Sequence, residues 1–438
     1  MKQISLSLLT ITVLSSSAMA SDSLADAFKE GTTSGQIRSF YIDRTYTGAI
    51  ENNRNSLAVG GNLGFETAEM NGVRLGAKFY TSNGINLHDG GRSSANYDPS
   101  LFGDAFASYS MVGEAYINYK QNNTNVKIGR QKLNTPLAGA DDARMLPNLF
   151  EAVVLSNTDV QDTTLVLAHV TRESVGTFGN VYGTPSQLSL QSGYGLGYKE
   201  ATNGHFADMG VVALGAGTDT LGVTAMAGIY KGIPNVTLQV WDYYAHDILN
   251  ALYLQGDYGF DAGVAKLKAS VQYIKQSEVG DKLAGEVDSQ YLALKLGASA
   301  GDVSGYVAYS KTGSSNTAQA NGGILTPWGG IPAFTQGMVT RHMFFADTKT
   351  SKVAVSYKLN TLLDADVKAT VYHVAFDIGQ KNSYKAGQAW KAKESGFDIQ
   401  YKPSSIKNLN LRLRANYPKD FAPNVDWAEY RLIANYNF

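Results

Sequence analysis

Three arginines near the end of this chain occupy alternate positions in two short segments. Arg412 and Arg414 alternate with apolar residues between Leu409 and Tyr417, and Arg431 lies among the polar positions of the last ten residues. Side chains two positions apart lie on one face of a β-strand, so each segment would present its guanidinium groups on a single surface. Clustered positive charge raises the local potential and attracts anionic solutes without any covalent step.

Residues for covalent or metal chemistry are sparse and poorly spaced. The chain has no Cys, and its 6 histidines form no H-E-x-x-H motif. It also contains no Walker lysine and no G-x-G-x-x-G. Asp141 and Asp142 could ligate a hard cation, but two carboxylates without a Gly-spaced loop fall short of a calcium site. We therefore expect no enzyme activity, cofactor or metal site; a catalytic site carried by loops, which needs none of these motifs, is the alternative.

Residues 1–20 have the features of a secretory signal peptide. Lys2 precedes an apolar stretch from Ile4 to Leu14, and Ala18-Met19-Ala20 forms an A-x-A cleavage site. No later segment has the 18 or more consecutive apolar residues of a transmembrane helix. The sequence therefore predicts an exported protein without a helical anchor.

The composition favours a membrane β-barrel over a soluble enzyme. Only 17% of the residues are charged, and the chain has 45 Gly and 26 Tyr, whereas soluble domains average roughly 25% charged residues. Low charge without long apolar runs is typical of barrels in which half of each strand faces lipid and half faces water. The formal net charge of −1 excludes a global basic field for nucleic acid.

Apolar and polar residues alternate over stretches of about ten positions. In residues 429–438 the even positions are Tyr, Leu, Ala, Tyr and Phe. A strand with one apolar and one wet face has this period, and about ten tilted residues are needed to cross the hydrocarbon layer. Outward aromatic residues at both ends of such segments, among them Tyr119 and Tyr417, predict two interfacial belts.

Connections between these segments alternate between short and long, as in barrels with short periplasmic turns and long outer loops. The sequence predicts short turns at 68–72, 121–123, 157–162, 232–235, 259–264, 299–302, 360–364 and 403–407, and loops at 44–55, 83–109, 134–148, 173–220, 245–249, 277–287, 312–349, 378–391 and 418–426. With 208–216 assigned to the fourth loop, these connections predict an all-β transmembrane antiparallel β-barrel of about 18 strands. Residues 21–34 would be a short N-terminal periplasmic segment and 35–438 a single barrel domain with a water-filled interior.

The polar face of the predicted strands carries more basic than acidic residues. The inward basic residues are Arg38, Arg74, Lys78, Lys120, Lys127, Lys266, Lys268, Lys295, Lys352, Lys358, Lys368, Lys402, Arg412, Arg414 and Arg431, and the inward acidic ones are Glu66, Glu114, Asp257, Asp366, Asp398 and Glu429. The wall is thus cationic although the chain is nearly neutral. Lysines near the turns, such as Lys120 and Lys402, are expected to be merely solvated.

Several short runs are similar to a known family. They are 24–28 (LADAF), 34–38 (SGQIR), 113–117 (GEAYI), 127–131 (KIGRQ), 135–136 (TP), 141–145 (DDARM), 147–148 (PN), 240–244 (VWDYY) and 247–250 (DILN). With these runs the chain resembles the OprD-like outer-membrane porins, and more closely the major outer-membrane porins of epsilon-class proteobacteria.

The resemblance implies a third loop that folds inward and narrows the channel opposite a basic ladder. Asp141, Asp142 and Arg144 would then form the pore constriction. The ladder would comprise Arg38, Arg74, Lys127, Lys268, Lys352, Arg412, Arg414 and Arg431. Acidic groups facing a basic wall set a transverse field that orients dipolar solutes. The alternative for loop 3 is an Asp-rich surface turn.

The leading hypothesis is a passive diffusion channel in the cell outer membrane for small hydrophilic solutes, with a bias toward anions, amino acids or carboxylates. The alternative is a surface-structural or adhesive barrel that displays its loops. Expected partners are outer-membrane lipid and lipopolysaccharide, the barrel assembly machinery and, by resemblance, two further copies in a homotrimer. Phe438 ends the last strand and is expected to act as an assembly signal, because an open seam is not tolerated in lipid.

Overall fold

The computed structural model describes residues 21–181, 186–193, 203–360 and 365–438. The predicted signal peptide lies outside these ranges. The described chain begins with a short helix, α1 (Leu24–Lys29), whose first turn is capped by Ser23, which accepts a hydrogen bond from the backbone N–H of Asp26 at 3.1 Å. The first strand starts shortly afterwards, at Thr32.

Eighteen strands form one closed antiparallel sheet, as the sequence predicted. They are β1 (Thr32–Gly48), β2 (Asn52–Glu66), β3 (Val73–Ile85), β4 (Tyr109–Gln121), β5 (Thr124–Gln131), β6 (Leu149–Asn157), β7 (Thr163–Ser174), β9 (Val223–Tyr230), β10 (Val236–Ala245), β11 (Leu249–Ala262), β12 (Ala265–Glu278), β13 (Asp288–Ala300), β14 (Val303–Thr312), β15 (Thr348–Lys358), β16 (Asp366–Ile378), β17 (Trp390–Lys402), β18 (Leu409–Lys419) and β19 (Val425–Asn437). The two-residue segment β8 (Ala207–Asp208) pairs with the end of β7 but is not part of the wall, because β7 pairs directly with β9. Pairing of β1 with β19 closes the barrel.

Short turns and longer loops lie at opposite ends of the barrel. The loops that matter below are loop 2 (86–108), loop 3 (132–148), loop 4 (175–222, described in part) and loop 7 (313–347). The predicted long loops at 44–55 and 245–249 are wrong, because only residues 49–51 and 246–248 connect the strands there. Where a strand extends beyond the membrane, both of its faces can be polar. The alternation of apolar and polar residues therefore ends before the strand stops pairing with its neighbours. The predicted turn at 360–364 lies mostly outside the described residues.

The segment 208–216 is helical rather than a barrel strand, in agreement with its assignment to the fourth loop. It contains α3 (Met209–Leu214), and Asp208 caps this helix by accepting from the N–H of Gly210 at 2.8 Å. The other helical segments are α2 (Gln187–Gln191) and the short 3₁₀ turns Pro99–Leu101, Asp104–Phe106, Thr177–Val181 and His342–Phe344. In the described ranges, none of the helices has the length and apolar character required to cross a membrane.

The outer face of the wall is apolar, as β13 illustrates. Leu292, Leu294 and Leu296 are 49–62% exposed, whereas the intervening Tyr291 and Ala293 are each 1% exposed. Alternation therefore assigns the leucines to the outside and the other two residues to the interior. Large aliphatic side chains along a whole face are suited to lipid rather than to water.

The hydrophobic core lies inside the barrel. Leu137 of loop 3, Phe178 of loop 4 and Trp328 and Phe344 of loop 7 are at most 2% exposed, and they belong to one cluster with the inward Trp241 of β10. Side chains of the wall alone do not fill a barrel of about eighteen strands. The loops therefore supply the packing that makes the interior compact.

The two faces of β18 should respond differently to substitution. We expect Leu413→Arg on the lipid face to lower the free energy of unfolding by about 2–4 kcal/mol. Arg414→Ala should have a clearly smaller effect, because it faces the interior and leaves Asp398 paired with Arg412. Urea unfolding followed by tryptophan fluorescence would measure both. Equal destabilisation would show that the two faces of β18 are assigned wrongly, because a one-residue register shift exchanges them.

Candidate functional site in the barrel interior

Three inward arginines lie together on β18 and β19. Arg414 is directly opposite Arg431 in the strand register, and Arg412 lies two residues before Arg414 on the same face. Asp398 on β17 is directly opposite Arg414. It forms salt bridges with both Arg412 and Arg414, the latter at 3.3 Å. One carboxylate shared by two guanidinium groups leaves this part of the wall positive.

Glu429 on β19 is the centre of a buried ion network. Its carboxylate lies 2.8 Å from Arg44 Nη2, 3.1 Å from Arg144 Nη2 and 3.1 Å from Arg431 Nε. Asp98 of loop 2 is a further partner of Arg44 at 2.9 Å, and no side chain of the network is more than 3% exposed. Buried charges require such pairing to offset the loss of water. Arg144 therefore attaches loop 3 to the wall instead of projecting into open space.

The two acidic residues of loop 3 have different partners. Asp142 lies 2.7 Å from Arg38 Nη1 on β1 and 3.1 Å from Lys132 Nζ. Burial raises the pKa of Asp142, but the charges of Arg38 and Lys132 outweigh this effect and hold that pKa below its ordinary value. Asp141 forms a 2.7 Å salt bridge with Arg341 of loop 7. Across the described ranges no three His, Asp or Glu side chains are grouped as a metal site.

Loop 7 is held against the wall by one buried carboxylate. Glu394 on β17 is fully buried and accepts hydrogen bonds from the backbone N–H groups of Met338 at 2.6 Å, Val339 at 3.3 Å and Thr340 at 2.7 Å. The hydroxyl of Tyr372 on β16 donates to the same carboxylate. Hydrogen bonds to an ionised acceptor are among the stronger ones in proteins, so this contact fixes the position of loop 7.

Loop 7 packs against loop 3 and against inward side chains of the wall, a role of loop 7 that the sequence analysis did not predict. The two loops are joined by a hydrogen bond from the N–H of Gly139 to the carbonyl of Trp328 at 2.9 Å. A signal was present in the sequence, because Arg341 and Asp347 are the only charged residues in 313–347. Loops that run over the surface in water are usually more polar.

Two buried charges of the wall were also missed. Arg44 lies in β1, in a stretch that the sequence analysis assigned to a loop, and Glu394 precedes the part of β17 where alternation is clear. Neither belongs to a motif. Strand boundaries were the missing information, since a longer strand would have placed both residues on the inward face.

A cavity of about 690 Å³ lies between loops 3 and 7 and the wall. Six cationic side chains line it, Lys295, Lys352, Lys368, Arg341, Arg414 and Arg431, against two acidic ones, Asp141 and Asp398. A larger space of about 1510 Å³ shares Lys295, Tyr306 and Phe334 with it and reaches turn-end residues such as Asn235 and Ser299. The interior therefore contains a polar space whose walls carry excess positive charge.

Three lysines of this cavity, Lys295, Lys352 and Lys368, form no salt bridge in the described part of the chain. Lys295 Nζ lies 4.1 Å from the ring centroid of Phe334. Lys352 Nζ donates to the carbonyl of Gln336 at 2.5 Å and lies 5.4 Å from the ring centroid of Tyr372. Aromatic rings and a carbonyl group carry no net negative charge, so both ammonium groups can interact with an anion in the cavity.

The remaining ladder residues face the interior with local partners. Arg74 lies 3.2 Å from Glu69, Lys127 lies 3.5 Å from the ring centroid of Tyr116, and Lys268 lies 2.9 Å from Asp257. The two ion pairs reduce the free charge that Arg74 and Lys268 offer to a solute.

Phe438 is positioned at the seam between the first and last strands. Its backbone exchanges hydrogen bonds with Gly35 of β1 at 2.8 and 3.0 Å. Its ring stacks on Tyr436 with a centroid distance of 6.4 Å, and a Cβ at Gly35 would lie only 2.5 Å from this ring. The residue therefore covers the seam on the outer face.

Comparisons with known proteins agree on one family and one fold. The family model described as outer membrane porin, OprD family, matches residues 26–438. Pseudomonas aeruginosa OccK9 (OpdG) is 19% identical with a TM-score of 0.76, and the match covers 94% of this chain and 99% of that one. P. aeruginosa OpdK, solved with vanillate, is 18% identical with a TM-score of 0.73, and the match covers the same shares of both chains. A BenF-like porin from Pseudomonas fluorescens Pf-5 is 16% identical with a TM-score of 0.75, again with the same coverage. No curated protein matches the sequence.

Proposed function

Because the chain belongs to the OprD family of outer-membrane porins, we propose that its channel favours small anionic solutes, carboxylates and amino acids in particular. The barrel lies in the cell outer membrane, contacts lipid with its outer face and passes small hydrophilic solutes. Its family and fold are those of channels rather than enzymes. The proposal about selectivity rests on the charge of the barrel interior.

The observation that supports anion preference is the lining of the 690 Å³ cavity, with six cations against two acids. Arg412 and Arg414 share Asp398, so Lys295, Lys352 and Lys368, which form no salt bridge in the described residues, contribute most of the free charge. Low-dielectric walls focus the field of such groups on the space between them. The two acidic groups, Asp141 and Asp398, would orient the ammonium end of an amino acid while the lysines attract its carboxylate. The relative solved with vanillate, which carries a carboxylate, is consistent with this solute class.

We propose further that loops 3 and 7 together narrow the channel. Asp142 and Arg144 would act by fixing loop 3 to the wall, whereas Asp141 would border the solute path beside Arg341. A barrel that only displays its loops for adhesion would be plugged by them. Planar-bilayer recording separates the two functions, because a plugged display barrel shows no stable unitary openings.

We expect the wild-type channel to prefer chloride over potassium roughly two- to threefold at low salt. The preference should fade as the Debye length falls from about 30 Å at 0.01 M to about 3 Å at 1 M. The double variant Lys295→Gln/Lys352→Gln should move the reversal potential in a salt gradient toward cation preference, because it removes two of the three lysine charges of the cavity that form no salt bridge in the described residues. Reversal potentials in planar bilayers would measure both effects.

Lys29→Gln/Lys407→Gln is the matched control, since it removes the same charge from exposed residues at the other end of the strands. It should leave the reversal potential near the wild-type value. A wild-type channel with strong cation preference would contradict the proposal, because the acidic groups of the loops would then control permeation.

Three finer relationships are proposed on the strength of sequence resemblance. The runs at 113–117 and 141–145 support kinship with the major porins of epsilon-class proteobacteria. The strand-terminal Phe438 supports recognition by the barrel assembly machinery, because it completes the outward series of β19. A homotrimer is proposed by analogy with other porins, and cross-linking in intact cells would test it.

A further inference from the structure

Three lysines form a row across neighbouring strands on the outside of the barrel. The strand register places Lys311 of β14 directly opposite Lys349 of β15. Lys349 is in turn opposite Asp377 of β16, and Asp377 is opposite Lys391 of β17. We call Lys311, Lys349 and Lys391 the lysine row. Directly opposite residues have Cβ atoms about 4.5–5.5 Å apart, and neighbouring strands are about 4.8 Å apart, so the row spans roughly 15 Å.

The lysine row faces the membrane side of the wall, at its loop end. Its three side chains are exposed and occupy positions that alternate with inward residues such as Thr312 and Thr350, which are at most 1% exposed. Tyr309 lies two residues before Lys311 on the same outward face and is 47% exposed. Interfacial tyrosines mark the level of the headgroups, and two strand residues span about 6.6 Å. The ammonium groups therefore lie at the headgroup level of the outer leaflet.

Within the ranges that the structure describes, none of the three lysines forms a salt bridge, although Asp377 lies in the same row. Two other outward lysines near the loop end are paired: Lys275 lies 2.5 Å from Asp288, and Lys419 lies 2.8 Å from Asp426. Like charges directly opposite each other on neighbouring strands are destabilising. An anion from the surroundings would remove the repulsion between Lys311 and Lys349.

We propose that the lysine row binds the phosphate groups of a phosphorylated glycolipid in the outer leaflet. A phosphate between Lys311 and Lys349 would accept charge-assisted hydrogen bonds from both ammonium groups. Lys391, two strands from Lys349, lies roughly 10 Å further along the row and would take a second phosphate of the same lipid. The acyl chains would lie over the apolar outer face below, beside Tyr309. The occupant of the lysine row is a lipid rather than free phosphate, because free phosphate would gain nothing from the apolar outer face next to the lysines.

Native mass spectrometry of the full-length mature protein in neutral detergent tests the proposal, with bisphosphorylated lipid A as the probe. The wild type should retain bound lipid A, and each lysine removed should weaken binding about fivefold. Lys311→Gln/Lys349→Gln/Lys391→Gln should therefore bind about a hundredfold more weakly. Lys29→Gln/Lys231→Gln/Lys407→Gln removes three exposed lysines at the turn end and should bind lipid A as the wild type does.

Two further probes separate the sources of the phosphate. Lipid A without phosphates should bind both proteins weakly, and millimolar inorganic phosphate should not displace bisphosphorylated lipid A. Equal binding by the two triple variants, equal binding of the phosphate-free lipid, or displacement by inorganic phosphate would each overturn the proposal. Unitary conductance should stay at the wild-type value in the triple variant of the lysine row, so a failure here is independent of solute selectivity.

Discussion

Replacing Glu429 by glutamine is expected to lower the free energy of unfolding of the barrel by about 3–5 kcal/mol. Three guanidinium groups, those of Arg44, Arg144 and Arg431, lie within 3.1 Å of this carboxylate and are almost fully buried. Glutamine keeps the shape of the side chain but removes the charge that neutralises them. Removing one partner from a buried ion network costs far more stability than removing one partner from an exposed pair, because water cannot reach the remaining charges to replace the lost partner.

Urea unfolding of the barrel in detergent would measure this loss. Asp366→Asn is the matched control, because Asp366 pairs with Lys402 at 3.7 Å and both side chains are more than half exposed. Its effect should stay below about 1 kcal/mol. Adding Arg144→Gln to the Glu429→Gln variant should restore part of the stability by removing one unpaired cation. A Glu429→Gln protein as stable as the control would contradict the role of Glu429 as the centre of the network.

Replacing Glu394 by glutamine is expected to release loop 7 and to produce larger, fluctuating unitary currents. The carboxylate accepts three backbone N–H groups of loop 7 and the hydroxyl of Tyr372. A glutamine amide has one acceptor and one donor group. Some of the four hydrogen bonds are therefore lost, and the amide NH₂ group faces donors of loop 7 or of Tyr372. A loss of about 3 kcal/mol would shift the equilibrium between docked and released loop roughly a hundredfold.

Single-channel recording in planar bilayers would measure the current and its fluctuation. Glu286→Gln provides the control, since Glu286 is an exposed acid in the loop between β12 and β13 that pairs with Lys282. Its channel should open to the wild-type level. Quiet openings of wild-type size in the Glu394→Gln channel would show that other contacts of loop 7, such as the 2.7 Å pair of Arg341 with Asp141, hold it without Glu394.

Alternation along single segments was enough to predict the wall of this barrel from the sequence. Outward Leu432 and inward Arg431 are neighbours in the chain, and their opposite exposures follow from the backbone geometry of any β-strand. Counting turns and loops gave eighteen strands for the same reason. The method failed where strands leave the membrane, as at Arg44, because there the environment no longer requires one apolar face.

Counting inward charges predicted a cationic wall but could not tell paired from unpaired groups. Arg38 and Arg431 belong to ion pairs with loop 3 and with Glu429, whereas Lys295 and Lys352 form no salt bridge in the described residues. All four residues lie at similar polar positions in their strands. The distinction depends on which loop residue reaches each cation, and no local pattern contains that information.

The sequence by itself determined the fold class, the strand number and the direction in which each strand side chain points, because these follow from a repeat of two residues and from the length needed to cross a membrane. Only the tertiary structure decided what occupies the interior. Arg144 and Glu429 are 285 residues apart in the chain, and Glu394 and Thr340 are 54 apart. Contacts at such separations form only when the closed sheet brings its first and last strands together around the loops.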